Sequence, residues 1–228
     1  MELSEVTRIS RDLGINAEMV VREYWELLVL RGLSESGIGN RLLFKGGNAL
    51  RLAYGSPRFS DDLDFSQLKD IRADEFRPVI GRIVHGWPEC EVTDWGKGDI
   101  PPRGVPFSHA EIRVRDPALD RSFRIVIEVS RRALASPDRE LRLLTSPCSP
   151  VSVLANVAGL ESVWSDKLAA MKSRGSPRDS FDLWFLSQKL GRPLPAELPR
   201  IDARILRRDL RKYLPVGYYP AIEEIARR

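Results

Sequence analysis

A chain of 228 residues with 43% hydrophobic content can build one sizeable core or two small lobes, and 30% charged residues of mixed sign exclude a mainly disordered chain. The net charge of +4 and the pI of about 9.2 permit a polyanionic partner without establishing one. Cys90 and Cys148 lie far apart, no CxxC pair occurs, and His85 and His109 do not complete a zinc set with them; reduced thiols are expected instead of a structural zinc.

Met1 to Ile15 alternates charged and apolar residues, unlike a signal peptide, and no apolar run approaches bilayer length, so a soluble cytoplasmic protein with no membrane partner is expected. Glu2 to Leu13 reads as a short amphipathic helix ended by Gly14. Asn16 reads as the N-cap of a second helix that stops at Gly32. Leu42 to Lys45 is a short apolar run closed by two glycines, a buried strand entering a tight turn; Asn48 to Tyr54 fits a short helix. Leu63 and Phe65 alternate with Asp62 and Asp64, which gives a second strand. A helix over Asp74 to His85, a strand over Glu89 to Trp95, a loop over Gly96 to Gly104 and a strand pair over Ala110 to Val114 and Ser122 to Val129 follow.

After Arg131 the character changes. Pro137, Pro147 and Pro150 read as a punctuated connector, and from Ser152 onward the pattern is helical, with helices expected at 161–172, 178–190, 203–214 and 220–228. The expected organisation is α+β: a mixed sheet with flanking helices over about residues 1–130, then a helical lobe over about 131–228.

The chemistry-bearing residues sit in the first part. On a strand, Asp62 and Asp64 face the same side, and two adjacent carboxylates call for a cation; hard oxygen ligands favour Mg²⁺. Asp61 falls on the other face in this register and is set aside. Lys45-Gly46-Gly47-Asn48 follows a strand and opens a helix, where backbone N–H groups can approach a triphosphate. Either motif alone reads as an ordinary turn or an acidic strand edge. Together with Arg58 and Ser60 between them, they place a phosphate cradle beside a metal site. Glu128, at the end of an apolar strand, either completes a metal or base position or pairs with Arg124 or Arg131.

The run Lys45-Gly46-Gly47-Asn48-Ala49-Leu50, then Arg58, Ser60 and Asp62-Leu63-Asp64-Phe65-Ser66, resembles the AbiEii/AbiGii family of toxin nucleotidyltransferases, within the DNA polymerase β-like superfamily. A second block agrees: Asp166-Lys167-Leu168, Arg174, and Arg178-Asp179-Ser180-Phe181-Asp182 resemble the family's later motifs. The resemblance implies that Lys167 contacts nucleotide phosphates and that Asp182, or Asp179, supports catalysis. It also implies nucleotide transfer from an NTP with Mg²⁺ between Asp62, Asp64 and the triphosphate, Glu128 or a neighbouring carboxylate assisting deprotonation. The acceptor would be the 3′ end of tRNA or another RNA, with an antitoxin partner, in a toxin–antitoxin or phage-defence system. Asn48 stands where the family often has Ser or Thr, and can cap the helix or bond a phosphate. Arg204, Arg208 and Arg211 share helical spacing and form either an RNA-tracking stripe or a solvated face. A small-molecule or protein hydroxyl as acceptor, or a non-catalytic RNA- or partner-binding module of the same fold, are the other readings.

Overall fold

Asn16 caps the second helix as its sequence position requires: in a computed structural model of the chain, whose described residues are 1–96, 107–130 and 138–227, its side chain accepts a hydrogen bond from the Met19 N–H. Helix α1 (Leu3–Leu13) precedes it and α2 (Ala17–Ser34) follows. α2 runs past Gly32, the expected stop. Its missing side chain lets Ile83 pack close, since a Cβ there would stand 2.7 Å from Ile83 Cγ1. Then come β1 (Leu42–Lys45), α3 (Gly46–Tyr54), β2 (Asp62–Gln67), α4 (Ala73–His85), β3 (Cys90–Asp94), β4 (Phe107–Val114) and β5 (Phe123–Ser130). The expected loop at 96–104 lies, apart from Gly96, outside the described residues, as do Arg131 and Pro137.

The connector reading of the next stretch is corrected. Arg139–Ser146 forms β6 and Ser149–Ala158 forms β7, an antiparallel hairpin closed at Pro147 and Cys148. The prolines mislead because Pro147 sits in the turn and Pro150 near the start of a strand, places that tolerate a missing donor. The sheet therefore continues well beyond residue 130. Helices follow from Leu160 rather than Ser152: α5 (Leu160–Arg174), α6 (Pro177–Leu190), α7 (Ala203–Leu210) and α8 (Tyr219–Ala226).

Among the described residues, seven strands form one mixed sheet in the order β3-β4-β5-β2-β1-β7-β6. β2 runs parallel to β5 and β1 parallel to β7, while the other pairs are antiparallel. Strict alternation in β5 buries Phe123, Ile125, Ile127 and Val129 and leaves Arg124 and Glu128 on the open face. Leu63 and Phe65 of β2 are likewise buried while Asp62 and Asp64 are only half-buried. This is the mixed α+β sheet with flanking helices that the sequence implies. The C-terminal helices are tied to it by polar contacts: the Phe59 N–H donates to Tyr213 O, the Val216 N–H to Gly14 O, and Arg58 pairs with Asp182. Among the described residues, no helix is long and apolar enough to cross a membrane.

Candidate active site

Strand register fixes the first row of the site. Lys45 stands opposite Asp64, Asp64 opposite Glu128, and Glu128 opposite His109, across β1, β2, β5 and β4. A second row on the same face runs Asp62, Val126, Glu111 and Asp94. Asp62 and Asp64 thus share a face, and the glycine turn lies against them. Gly46 has φ +77°, and a Cβ there would fall 2.1 Å from Asp64 Oδ2. A side chain at this position would meet both left-handed strain and the carboxylate.

The carboxylates press on one another. Burial first, then Asp64 and Asp61, push Asp62 up to about 6. Burial raises Asp64, although Lys167, Lys45, Arg174 and Arg178 oppose the rise. Burial and Asp64 raise Glu128, with His109 opposing. Crowded, partly desolvated hard oxygens of this kind suit a divalent cation, so the residues present fit a metal at Asp62 and Asp64. Glu128 is one strand further away, and its Oε1 lies 3.8 Å from His109 Nδ1.

This crowding has a measurable sign. Because the folded-state value of Asp62 is raised from 3.8 to about 6, its charge destabilises metal-free protein above about pH 6. The burden is relieved as pH falls from about 6 towards 4. In chelator-treated protein, the thermal midpoint of the natural chain relative to Asp62→Asn should therefore rise between pH 7.5 and pH 5. A difference that stays flat or falls across that interval would contradict the carboxylate crowding.

A buried ionic network backs the cleft. Arg58 is 2% exposed and Asp182 fully buried. Arg58 Nε and Nη2 donate to the two Asp182 oxygens at 2.6 and 2.8 Å. Lys167 Nζ lies 2.6 Å from Asp182 Oδ2 and 2.9 Å from Asp179 Oδ1, and Arg174 forks onto Asp179 at 2.7 and 3.1 Å. Asp179 and Asp182 both hold Lys167. Although burial opposes it, Arg58 and Lys167 hold Asp182 down at about 2.

Five positions read from sequence as nucleotide contacts are buried: Gly47, Asn48, Arg58, Ser60 and Lys167. Asn48 is fully buried and its amide donates to the Asp62 carbonyl oxygen at 3.0 Å. The Arg58 guanidinium is engaged by Asp182, and Ser60 is 7% exposed. A Cβ on Gly47 would fall 2.3 Å from Arg58 Nη2 and 2.7 Å from Ser60 Oγ, so the second glycine makes room for this backing. Lys45, Arg174 and Arg178 keep accessible surface beside Asp64.

Asp61 precedes the strand, so the register that set it aside does not govern it. It accepts from Tyr213 Oη at 2.5 Å and pairs with Arg178 at 3.5 Å and Arg22 at 3.7 Å. With Asp62, Glu111, Arg124, Lys212 and Tyr213 it lines a cleft of about 410 Å³.

With this geometry in view, the likeness to known proteins is specific. Residues 28–225 match the family described as nucleotidyl transferase AbiEii toxin, type IV TA system. The chain belongs to this family. It is thus an AbiEii nucleotidyltransferase of a type IV toxin–antitoxin system, which implies a nucleotide substrate and an antitoxin. Two solved structures share its fold. JHP933 from Helicobacter pylori has 22% identity and a TM-score of 0.55, covering 76% of this chain and 68% of that one. An H. pylori protein proposed to be a nucleotidyltransferase has 23% identity and a TM-score of 0.55, covering 76% and 70%. No curated protein matches the chain.

One group escaped the sequence reading. Among the described residues, Asp94, His109 and Glu111 bring ligand atoms within 4.8 Å of one another, a separation that Asp62, Asp64 and Glu128 do not meet as a set. The available signal was His109-x-Glu111, two residues apart on a strand and hence on one face.

Proposed function

We propose that this AbiEii enzyme holds Mg²⁺ at Asp62 and Asp64 and transfers a nucleotide from an NTP to an RNA 3′ hydroxyl, the acceptor end of tRNA being the favoured case. The observation that carries the metal reading is the crowding of Asp62 against Asp64 on one sheet face, beside the Gly46-Gly47 turn. When bound, the metal would stabilise charge on the attacking and leaving oxygens.

The protein's own groups supply the rest. Backbone N–H groups at the Gly46-Gly47 start of α3 cradle phosphate oxygens. Lys45, Arg174 and Arg178 offer the accessible positive charge beside Asp64, where pyrophosphate charge develops. Lys167 acts from behind: clamped between Asp179 and Asp182, it adds positive potential and becomes available to phosphate by a short shift. Asn48, Arg58 and Ser60 shape the cradle. Glu128 assists removal of the acceptor proton, its raised value favouring that role.

The helical face supports RNA. Arg204, Arg208 and Arg211 are exposed along one side of α7 and its C-cap, whereas Arg207 turns away to Glu223 at 2.6 Å. Lys212 and Tyr213, just beyond, line the cleft containing Asp62. Charge reversal at Arg204 and Arg208 should lower RNA labelling about tenfold or more while NTP affinity stays unchanged, and should flatten the salt dependence of labelling. Equal labelling by both proteins would remove α7 from the RNA path.

Incubation with each labelled NTP, Mg²⁺ and total RNA, protein or small-molecule acceptors tests the whole reading. Label confined to protein or to a small molecule would overturn the RNA acceptor and leave nucleotidyl transfer standing. Loss of labelling on replacing Mg²⁺ with chelator, restored by Mg²⁺ alone, is the expected metal result. The same chemistry would operate in phage defence in the cytoplasm, the setting that fits an antitoxin-partnered RNA-modifying enzyme.

A further inference from the structure

β3 and β4 pair with a register shift: Val92 stands opposite Ile112, yet Asp94 stands opposite Glu111. Thr93 is therefore an inserted residue, a β-bulge. Regular pairing would set Asp94 against Ala110, which is fully buried in the core. The bulge instead turns Asp94 onto the open face with His109 and Glu111, a re-aiming that bulges perform. Gly96, at φ +66°, completes the approach; a Cβ there would lie 3.0 Å from His109 Cβ.

The polar atoms so gathered have the spacing of metal ligands rather than of hydrogen bonds. His109 Nε2 lies 3.9 Å from Asp94 Oδ2 and 3.9 Å from Glu111 Oε1. Both separations are too long for hydrogen bonds, and both are short enough for one ion bound at about 2.0–2.2 Å to each atom. The other oxygen of Glu111 accepts from Arg124 Nη1 at 3.0 Å, which orients that carboxylate. The second ring nitrogen, Nδ1, faces Glu128 Oε1 at 3.8 Å. At 3.8 Å this is an electrostatic contact rather than a hydrogen bond, and it sets a carboxylate on the distal side of the imidazole, where the outer partners of ligating histidines lie.

We propose that Asp94, His109 and Glu111 bind a first-row transition-metal dication, Zn²⁺ being the representative, at a site distinct from the Asp62 and Asp64 carboxylates. An imidazole with two carboxylates selects such an ion over Mg²⁺, which prefers oxygen donors and retained waters. Two strand spacings, roughly 10 Å, separate Glu111 from Asp62 in the second row, far more than the roughly 4 Å of a two-metal centre. The ion is therefore a structural partner at the cleft's rim, where Glu111 also lines the cavity. The site stands on strand geometry and does not depend on the nucleotidyl-transfer reading.

The test uses Asp62→Asn/Asp64→Asn protein, which removes the other carboxylate pair, stripped with chelator and titrated with Zn²⁺ in excess Mg²⁺. One equivalent of Zn²⁺ should bind, with a rise in thermal midpoint. Adding His109→Gln should weaken binding at least tenfold, roughly the lower effect seen even for groups behind a metal ligand. Asp94→Asn, at an exposed side chain, should do the same without endangering the fold. Absence of saturable Zn²⁺ binding in the parent overturns the proposal. So does binding left unchanged by Asp94→Asn, whatever happens to the His109→Gln protein.

Discussion

Asp64→Ala should reduce nucleotide transfer by about a thousandfold or more while leaving the protein folded. The size follows from the loss of the proposed metal ligand at the reacting phosphate, an interaction worth several kcal/mol, where about 4 kcal/mol is a thousandfold. The retained fold follows from the electrostatics of the site. Burial raises the Asp64 carboxyl, so its charge opposes folding at neutral pH in metal-free protein, and removing it relieves that opposition. Chelator-treated Asp64→Ala should therefore melt close to the natural protein, and Asp64→Asn at or above it. Label incorporation from each NTP, alongside a thermal melt, measures both parts. Wild-type transfer by Asp64→Ala would remove Asp64 from the metal site. A large drop in melting temperature would mean that the carboxylate is stabilised by its cations more than burial penalises it. Asp61→Ala is not a neutral control, because Asp61 gathers Tyr213, Arg178 and Arg22 at the mouth of the same cleft.

The part of this site visible in the sequence is the part that local periodicity controls. Alternation over Asp62-Leu63-Asp64-Phe65 fixed which side chains share a face, and the glycine pair after an apolar run fixed where the chain turns. Asn16 was legible because a cap acts within three residues. The β6–β7 hairpin was not, because its proline-bearing turn resembles a linker. β6 is also an edge strand, with Leu141 and Leu143 exposed rather than facing a core. Arg58 looked like a phosphate contact because an arginine beside a glycine turn has that chemistry. Its engagement by Asp182 depends on a residue 124 positions away, which no local pattern reports. The cluster of Asp94, His109 and Glu111 was hidden by a bulge, since period-2 reasoning sends Asp94 into the core. Periodicity thus locates side chains on regular strands and fails where one inserted residue reverses the face. The family resemblance supplied what periodicity could not, namely that Lys167 and the aspartates of α6 belong with the Asp62 strand.

Asp182→Ala should destabilise the protein by about 3–5 kcal/mol, the usual consequence of removing one partner of a buried ion pair. Arg58 is 2% exposed and Asp182 fully buried, so the guanidinium left behind has no water to replace two hydrogen bonds at 2.6 and 2.8 Å. Lys167 loses one of its two carboxylates at the same time. Acid alone should not reproduce the effect in the ordinary range. The Asp182 carboxyl is lowered from 3.8 to about 2, so its contribution is full above pH 3.8 and is lost only as pH falls through about 2. Urea unfolding at pH 7 and pH 4.5 should therefore show the same deficit for Asp182→Ala relative to the natural chain. A double variant, Arg58→Met with Asp182→Leu, should recover much of the lost stability, because apolar groups of similar volume often replace a buried pair without penalty. That variant should still transfer nucleotide poorly, since Lys167 would be held by Asp179 alone and its position beside the Asp64 row would loosen. Recovery of stability with full recovery of transfer would reduce the network to a structural tie. A loss below about 1 kcal/mol for Asp182→Ala would mean that the C-terminal helices are anchored chiefly by their apolar contacts and the backbone bonds at Phe59 and Val216.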